Sequence, residues 1–305
     1  QMCIRDSLYT LLTDYEGNSL RTFYIDKKGY IWFGTIDGIY IFDPTDGKLS
    51  HYKHSRTDPF SLPNNSIWEI SEDRQSNVWI CTYSGTLCYV NIDENNAFKT
   101  YHPQNSGLNH TPVSAFAEDQ QYLWVGTEGG GINRMNKATG EFSYITSANS
   151  ITSNNIKSLI TDAGHNLWIS TFMGGLDLYN VGRQKVTNFK HTKGAPHSLL
   201  VNDVRKTILE GDSGMWVAYQ YQKAEVSYFS FREESFTHFS LDSISNNSYL
   251  FDILRQGEKT LWAISNETLY RLDIDKHVVE KMIPNDSTYL GLFTFCLDDS
   301  GNIWI

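Results

Sequence analysis

Short apolar runs, each bounded by clusters of Gly, Asn, Asp or Ser, cover the chain from about Leu20 onward. One unit reads Ile67-Trp68-Glu69-Ile70-Ser71-Glu72-Asp73, then a polar turn, then Val78-Trp79-Ile80-Cys81-Thr82. A glycine turn, a run over 86–90, a polar turn and a run over 98–101 complete it. Four such runs predict four short strands joined by hairpins. No long stretch shows the 3.6-residue apolar spacing of a helix. The pattern recurs around Trp32, Trp79, Trp124, Trp168, Trp216, Trp262 and Trp304. Their steps of about 42 to 48 residues fall in the range of repeat architectures.

Four antiparallel strands at that period predict an all-β protein, a β-propeller with blades of strands a to d counted outward. Six full units run from about Leu20 to Gly291. An orphan d-like run at 8–13 and orphan a and b runs at 292–305 suggest a seventh blade. It would be closed by both chain ends and would lack strand c. The expectation is therefore seven blades in one domain over 8–305. Residues 1–7 (Met2-Cys3-Ile4-Arg5-Asp6-Ser7 above all) read as translated adapter sequence and are set aside. The last unit stops at Trp304-Ile305 before its strand c, which reads as a fragment of a longer protein.

An acidic or amide residue closes each strand a: Asp26, Asp73, Asp119, Asp162, Glu210, Gln256 and Asp298. A group repeated in every blade is expected to accept bonds from the backbone N–H groups of the next turn, not to catalyse. The connections from strand d to the next strand a are long and varied: 53–65, 102–111, 146–154, 191–202 and 240–247. Varied loops on a rigid scaffold are where binding is expected. The residue eleven before each tryptophan mixes cations and aromatics: Arg21, Trp68, Lys157, Arg205, Phe251 and Phe293, with Ser114 in the blade whose a–b turn is shorter. One reading is a ligand collar that stacks on rings and pairs with polar or acidic groups; the other is blade packing with solvated cations. The b–c turns add Tyr83, Glu128, Phe172, Met173, Tyr219 and Tyr221 to the same rim.

A net charge of −10 argues against non-specific binding to nucleic acid or anionic membranes. No apolar run is long enough to span a bilayer. Cys81 and Cys88 would face each other if the hairpin turn is centred on Ser84-Gly85. That leaves a disulfide and a pair of small apolar residues both open. There is no Cys-x-x-Cys, His-Glu-x-x-His, phosphate loop or Gly-x-Ser-x-Gly. The histidines are scattered, mostly in the d–a connections, without ligand spacing. Catalytic residues, metal ligands and cofactors are therefore not assigned.

Leu62-Pro63-Asn64-Asn65-Ser66-Ile67, Gly29-Tyr30-Ile31-Trp32-Phe33-Gly34-Thr35 with Asp37-Gly38, Tyr122-Leu123-Trp124-Val125-Gly126-Thr127 with Gly130-Gly131-Ile132-Asn133-Arg134, and Ser153-Asn154-Asn155-Ile156 resemble the two-component regulator propeller repeat. Blades five and six depart from it, because Met215-Trp216-Val217-Ala218-Tyr219 and Leu261-Trp262-Ala263-Ile264-Ser265 lack Gly-Thr. The resemblance implies a periplasmic sensor region of a Bacteroidetes hybrid two-component system that recognises an oligosaccharide and regulates glycan-utilisation genes. It implies a second propeller and signalling modules in the parent chain, with a homodimer as one signalling geometry. Kinase and DNA-binding functions would belong to that parent. The alternatives are a propeller lyase acting on a polysaccharide or cyclic peptide, and a protein-binding scaffold.

Overall fold

A computed structural model of the chain describes residues 20–83, 86–91, 97–220, 224–242, 249–282, 294–297 and 303–304. Its elements are strands. The first four are β1 (Leu20–Ile25), β2 (Ile31–Thr35), β3 (Gly38–Asp43) and β4 (Lys48–Tyr52). The second group is β5 (Ile67–Glu72), β6 (Val78–Thr82), β7 (Leu87–Val90) and β8 (Lys99–Tyr101). The third is β9 (Val113–Glu118), β10 (Tyr122–Thr127), β11 (Gly131–Asn136) and β12 (Phe142–Ile145). The fourth is β13 (Ile156–Thr161), β14 (Asn166–Thr171), β15 (Gly175–Asn180) and β16 (Lys185–Phe189). The fifth is β17 (Val204–Glu210), β18 (Gly214–Tyr219), β19 (Glu225–Ser230) and β20 (Ser235–Ser240). The sixth is β21 (Leu250–Gln256), β22 (Thr260–Ser265), β23 (Leu269–Asp273) and β24 (Val278–Lys281). Each group is one antiparallel sheet in sequence order, the blade unit of a β-propeller.

The expected seventh blade is corrected: among the described residues six four-stranded sheets form, followed by a two-stranded one. β25 (Cys296–Leu297) and β26 (Ile303–Trp304) pair only as Cys296↔Trp304 and Leu297↔Ile303. Six of the seven repeat tryptophans therefore lie in four-stranded sheets, and Trp304 lies in the two-stranded one. The d-like run at 8–13 and residues 1–7 lie outside the described residues.

The sheets fall into two compact units. One comprises residues 1–101 with 289–305 and the other residues 102–288. In the first, Trp32, Ile39 and Ile41 of the first sheet pack on Ile67, Ile70, Val78, Ile80 and Cys88 of the second. In the other, Trp124 and Ile132 meet Ile156, Leu167 and Ile169, and Trp168 meets Met215 and Val217. Trp216 meets Ile253, Leu261 and Ala263 in turn. Strand b is covered on both faces, which is why β2, β6 and β18 are buried along their full length and lose alternation. The glycine of Gly-Thr follows from the same packing. A Cβ on Gly34 would lie 2.6 Å from Ile67 Cγ2, and one on Gly126 would lie 2.6 Å from Ile156 Cγ2, in each case on strand a of the next sheet.

The acid–tryptophan spacing has a direct cause. In each of the six four-stranded sheets the strand-b tryptophan donates its indole N–H to the residue at the end of strand a. Trp32 bonds Asp26 at 2.9 Å, Trp79 bonds Asp73 at 2.8 Å and Trp124 bonds Asp119 at 3.0 Å. Trp168 bonds Asp162 at 3.0 Å, Trp216 bonds Glu210 at 2.9 Å and Trp262 bonds Gln256 at 2.8 Å. The other carboxylate oxygen holds the hairpin, as when Asp26 Oδ1 accepts from the Lys28 and Tyr30 N–H groups. The backbone part of this arrangement was expected from the sequence; the indole part was not.

Candidate functional site

The collar positions share a backbone cause. In each of the six four-stranded sheets, strands a and b slip register once, and the extra residue on strand a is the collar residue. The slip falls between Leu20 and Thr22 at Arg21, and between Ile67 and Glu69 at Trp68. It falls between Ile156 and Ser158 at Lys157, between Val204 and Lys206 at Arg205, and between Leu250 and Asp252 at Phe251. In the third sheet Gly126 faces Ala115 and Thr127 faces Val113, leaving Ser114. A bulge removes one residue from the ladder and re-aims its side chain. The position can therefore vary in chemistry while its neighbours keep the sheet. Phe293 lies outside the described residues.

Collar residues also reach the next sheet. In the first unit the Arg21 guanidinium lies 5.8 Å from the Trp68 ring centre and 5.7 Å from that of Tyr83. The two rings are 6.0 Å apart. Tyr83 opens the b–c turn, is 60% exposed, and is pinned by its N–H to the Ser66 carbonyl at 2.8 Å. The Nη1 of Arg21 is buried without a hydrogen-bond partner.

In the second unit, Lys157 Nζ bonds Glu128 Oε1 at 2.5 Å and lies 5.5 Å from the Phe172 ring centre. Ser114 Oγ donates to the Ile156 carbonyl at 2.7 Å, and Arg205 Nε donates to the Phe251 carbonyl at 3.4 Å. Phe251 packs edge-on against Tyr249, with ring centres 5.3 Å apart. Glu128, Phe172 and Met173 lie at b–c turns as expected, and Met173 is 70% exposed.

Tyr219 does not join the rim. It ends β18, is buried, and its hydroxyl donates to Ser227 Oγ at 2.7 Å. In the third and fourth sheets a threonine at this place closes the turn onto a glycine carbonyl. Tyr219, lacking that short hydroxyl, turns inward instead. Tyr221 lies outside the described residues.

The cysteine geometry is also corrected. Cys81 faces Leu87 and Cys88 faces Ile80, one residue away from the pairing expected. A one-residue slip puts the two side chains on opposite faces of the sheet. Both are buried free thiols, and burial pushes their pKa values up.

Two features escaped the sequence reading. Asp203 and Gln220, joined by the Gln220 N–H to the Asp203 carbonyl at 3.1 Å, each leave a buried side-chain oxygen unpartnered. Burial raises the Asp203 pKa, against the Met173 N–H and the charge of Lys157. The only hint was their place, beside a collar residue and at a b–c turn.

The second feature is how the d–a connections are held. Each buries one apolar residue: Leu62, Leu108, Ile151, Leu199 or Leu241. Side chains of strand c then receive the loop. The Asn109 N–H donates to Asn133 at 2.7 Å, and the Thr152 N–H and hydroxyl donate to Asp177 Oδ2 at 2.7 and 2.8 Å. The Tyr270 hydroxyl donates to Asp242 at 3.0 Å. Histidines belong to the same framework, His54 and His191 from the loops and His238 from β20. His54 Nδ1 meets the Leu62 carbonyl at 2.7 Å, and His191 Nδ1 meets the Leu199 carbonyl at 2.8 Å. His238 Nε2 meets the Pro196 carbonyl at 3.0 Å.

The family model for the two component regulator propeller matches residues 14–37 and 61–84. Those two stretches are similar to the two-component regulator propeller repeat. The second match takes in the Trp68 bulge, the Asp73–Trp79 pair and Tyr83; the first takes in the Arg21 bulge and the Asp26–Trp32 pair. A relative, histidine kinase P4 of Formosa agariphila, is 27% identical over 201 residues, which is 61% of this chain and 14% of the relative. The fold is similar to that of the extracellular domain of a putative hybrid two component system from B. thetaiotaomicron. There the TM-score is 0.77 and identity 24%, over 94% of this chain and 38% of that one. It is also similar to a catalytically inactive virginiamycin B lyase from Staphylococcus aureus with quinupristin, at TM-score 0.69 and 15% identity, over 92% and 89% of the two chains. The chain thus spans a minor part of the first two relatives' length. Among the described residues, no helix is long and apolar enough to cross a membrane.

Proposed function

We propose that this chain is the ligand-sensing, extracytoplasmic propeller of a hybrid two-component sensor, working in the periplasm and recognising an oligosaccharide to regulate glycan use. The collar carries this reading. The six four-stranded blades use the same bulge to present side chains that vary: two arginines, a lysine, a tryptophan and a phenylalanine, all half-buried, and a buried serine, with unpartnered acceptors on Asp203 and Gln220 close in sequence to Arg205 and to a b–c turn. Sugars present apolar ring faces to aromatic side chains and hydroxyl donors to unpartnered oxygens. The repeat family and the likeness to a histidine kinase and to an extracellular sensor domain support the signalling context. A second propeller and kinase modules of the parent would read the bound state, through propeller packing or a homodimer. Binding moves such an equilibrium only by unequal affinity for two signalling states.

The lyase reading has weaker support. A general base must reach its substrate, yet His54, His191 and His238 hold loop carbonyls with a ring nitrogen. The test is a thermal-shift and calorimetric screen against neutral and acidic oligosaccharides, with product analysis of each mixture. A shift with a saccharide that stays intact is expected. No shift with any of them, or turnover of one, overturns the sensor reading.

A further inference from the structure

Arg21 differs from the other described collar cations. Lys157 is paired with Glu128, and Arg205 donates to the Phe251 carbonyl. Arg21 Nη1 is buried and has no acceptor among the described residues. A buried guanidinium N–H left unpaired is costly, so a site that keeps one is prepared for a partner it does not itself contain. The Trp68 and Tyr83 rings, at 5.8 and 5.7 Å, flank the guanidinium without offering a lone pair. They stabilise its charge and hold its plane in place. Tyr83 is 60% exposed and borders the position from the solvent side.

We infer that Arg21 receives an anionic group, and that the ligand class is an acidic oligosaccharide, with a carboxylate or sulfate ester on Arg21 and a sugar ring against Trp68 and Tyr83. This rests on the saccharide-sensing reading above. An oxyanion supplies the missing acceptor, and the guanidinium fork suits two-point contact with a carboxylate or a sulfate. A neutral sugar hydroxyl could accept one bond but would leave the charge without a counter-ion.

Calorimetry with three probes tests this: a galacturonate trisaccharide, a sulfated galactose disaccharide and a neutral cello-oligosaccharide. One or both acidic probes should bind more tightly than the neutral one, and that preference should weaken as salt rises. The better acidic probe tells carboxylate from sulfate. Arg21→Gln should cut acidic affinity on the order of tenfold or more and bring the acidic-to-neutral affinity ratio toward one. Arg21→Lys should restore part of the loss. Equal binding of neutral and acidic probes by the wild type, or an acidic preference kept by a folded Arg21→Gln, overturns the inference and leaves saccharide sensing standing. Binding of no saccharide at all overturns both. If Arg21→Gln fails to fold, the wild-type preference and its salt dependence decide.

Discussion

Trp262 donates its indole N–H to Gln256 Oε1 at 2.8 Å, so in the sixth sheet a neutral amide stands where the other described sheets use a carboxylate. The indole needs an acceptor, not a charge. Asp73 shows what else the carboxylate does. It takes the Trp79 indole, the Gln75 and Asn77 N–H groups and the Asn77 amide. Asp73→Ala leaves several donors without a partner and should cost about 2 to 4 kcal/mol. Asp73→Asn should cost clearly less. Urea unfolding of both variants checks the order; equal losses would count against it.

Gly34 is held small by Thr22 and Ile67, whose methyl groups lie 2.4 and 2.6 Å from the place a Cβ would take. Gly34→Ala should therefore destabilise by about 1 to 3 kcal/mol through overpacking. Thermal melting reads this directly, and an unchanged midpoint would show that the two sheets separate without cost.

Asp177 is buried beneath Thr152 and Asn188, and burial raises its pKa against their hydrogen bonds. A raised folded value means the fold favours the protonated acid. That contribution is complete below the unfolded value of about 3.9 and is lost as pH rises through the folded value. Relative to Asp177→Asn, the wild type should gain stability as pH falls from 7 toward 4. Denaturant midpoints of both proteins across that range provide the measurement, and a constant difference would refute the assignment.

His238 works in the opposite direction. Its Nδ1 meets Ser227 Oγ at 2.7 Å, and burial lowers its pKa. A lowered value contributes stability above the unfolded pKa of about 6.5, and this is lost as pH falls through the folded value. Stability should decline below about pH 6.5, and His238→Gln should remove that part of the slope. Chemical unfolding between pH 5 and 7.5, within about two units of that pKa, tests it.

Cys81 and Cys88 should stay reduced in the folded protein, because they occupy opposite faces of one hairpin. Intact-mass measurement after mild oxidation should show no bridge between them, and reductant should leave the melting temperature unchanged. A disulfide-linked peptide containing both residues would contradict the register.

Much of this was legible in the sequence. The tryptophan period and the four apolar runs predicted the blades, since a strand covered on both faces must be apolar throughout. The collar was legible as a position, because it departs from the repeat at a fixed distance, although nothing announced the bulge that creates it. Other readings failed where one residue decides a geometry. A one-residue difference in strand register moved Cys88 off Cys81, and Ala218-Tyr219 in place of Gly-Thr drew a tyrosine inward. The constant step from Asp26 to Trp32 and from Asp73 to Trp79 was a visible signal of the indole bond. It was missed because backbone acceptance alone accounted for the acid.

The strand-c residues that receive the d–a loops have an evolutionary consequence. Thr152 fits Asp177, and Asp242 fits Tyr270, as a key fits its own lock. A loop transplanted to another blade without its lock would arrive unmoored. These loops should therefore change in inherited couples, each drifting together with one residue on the strand beneath it.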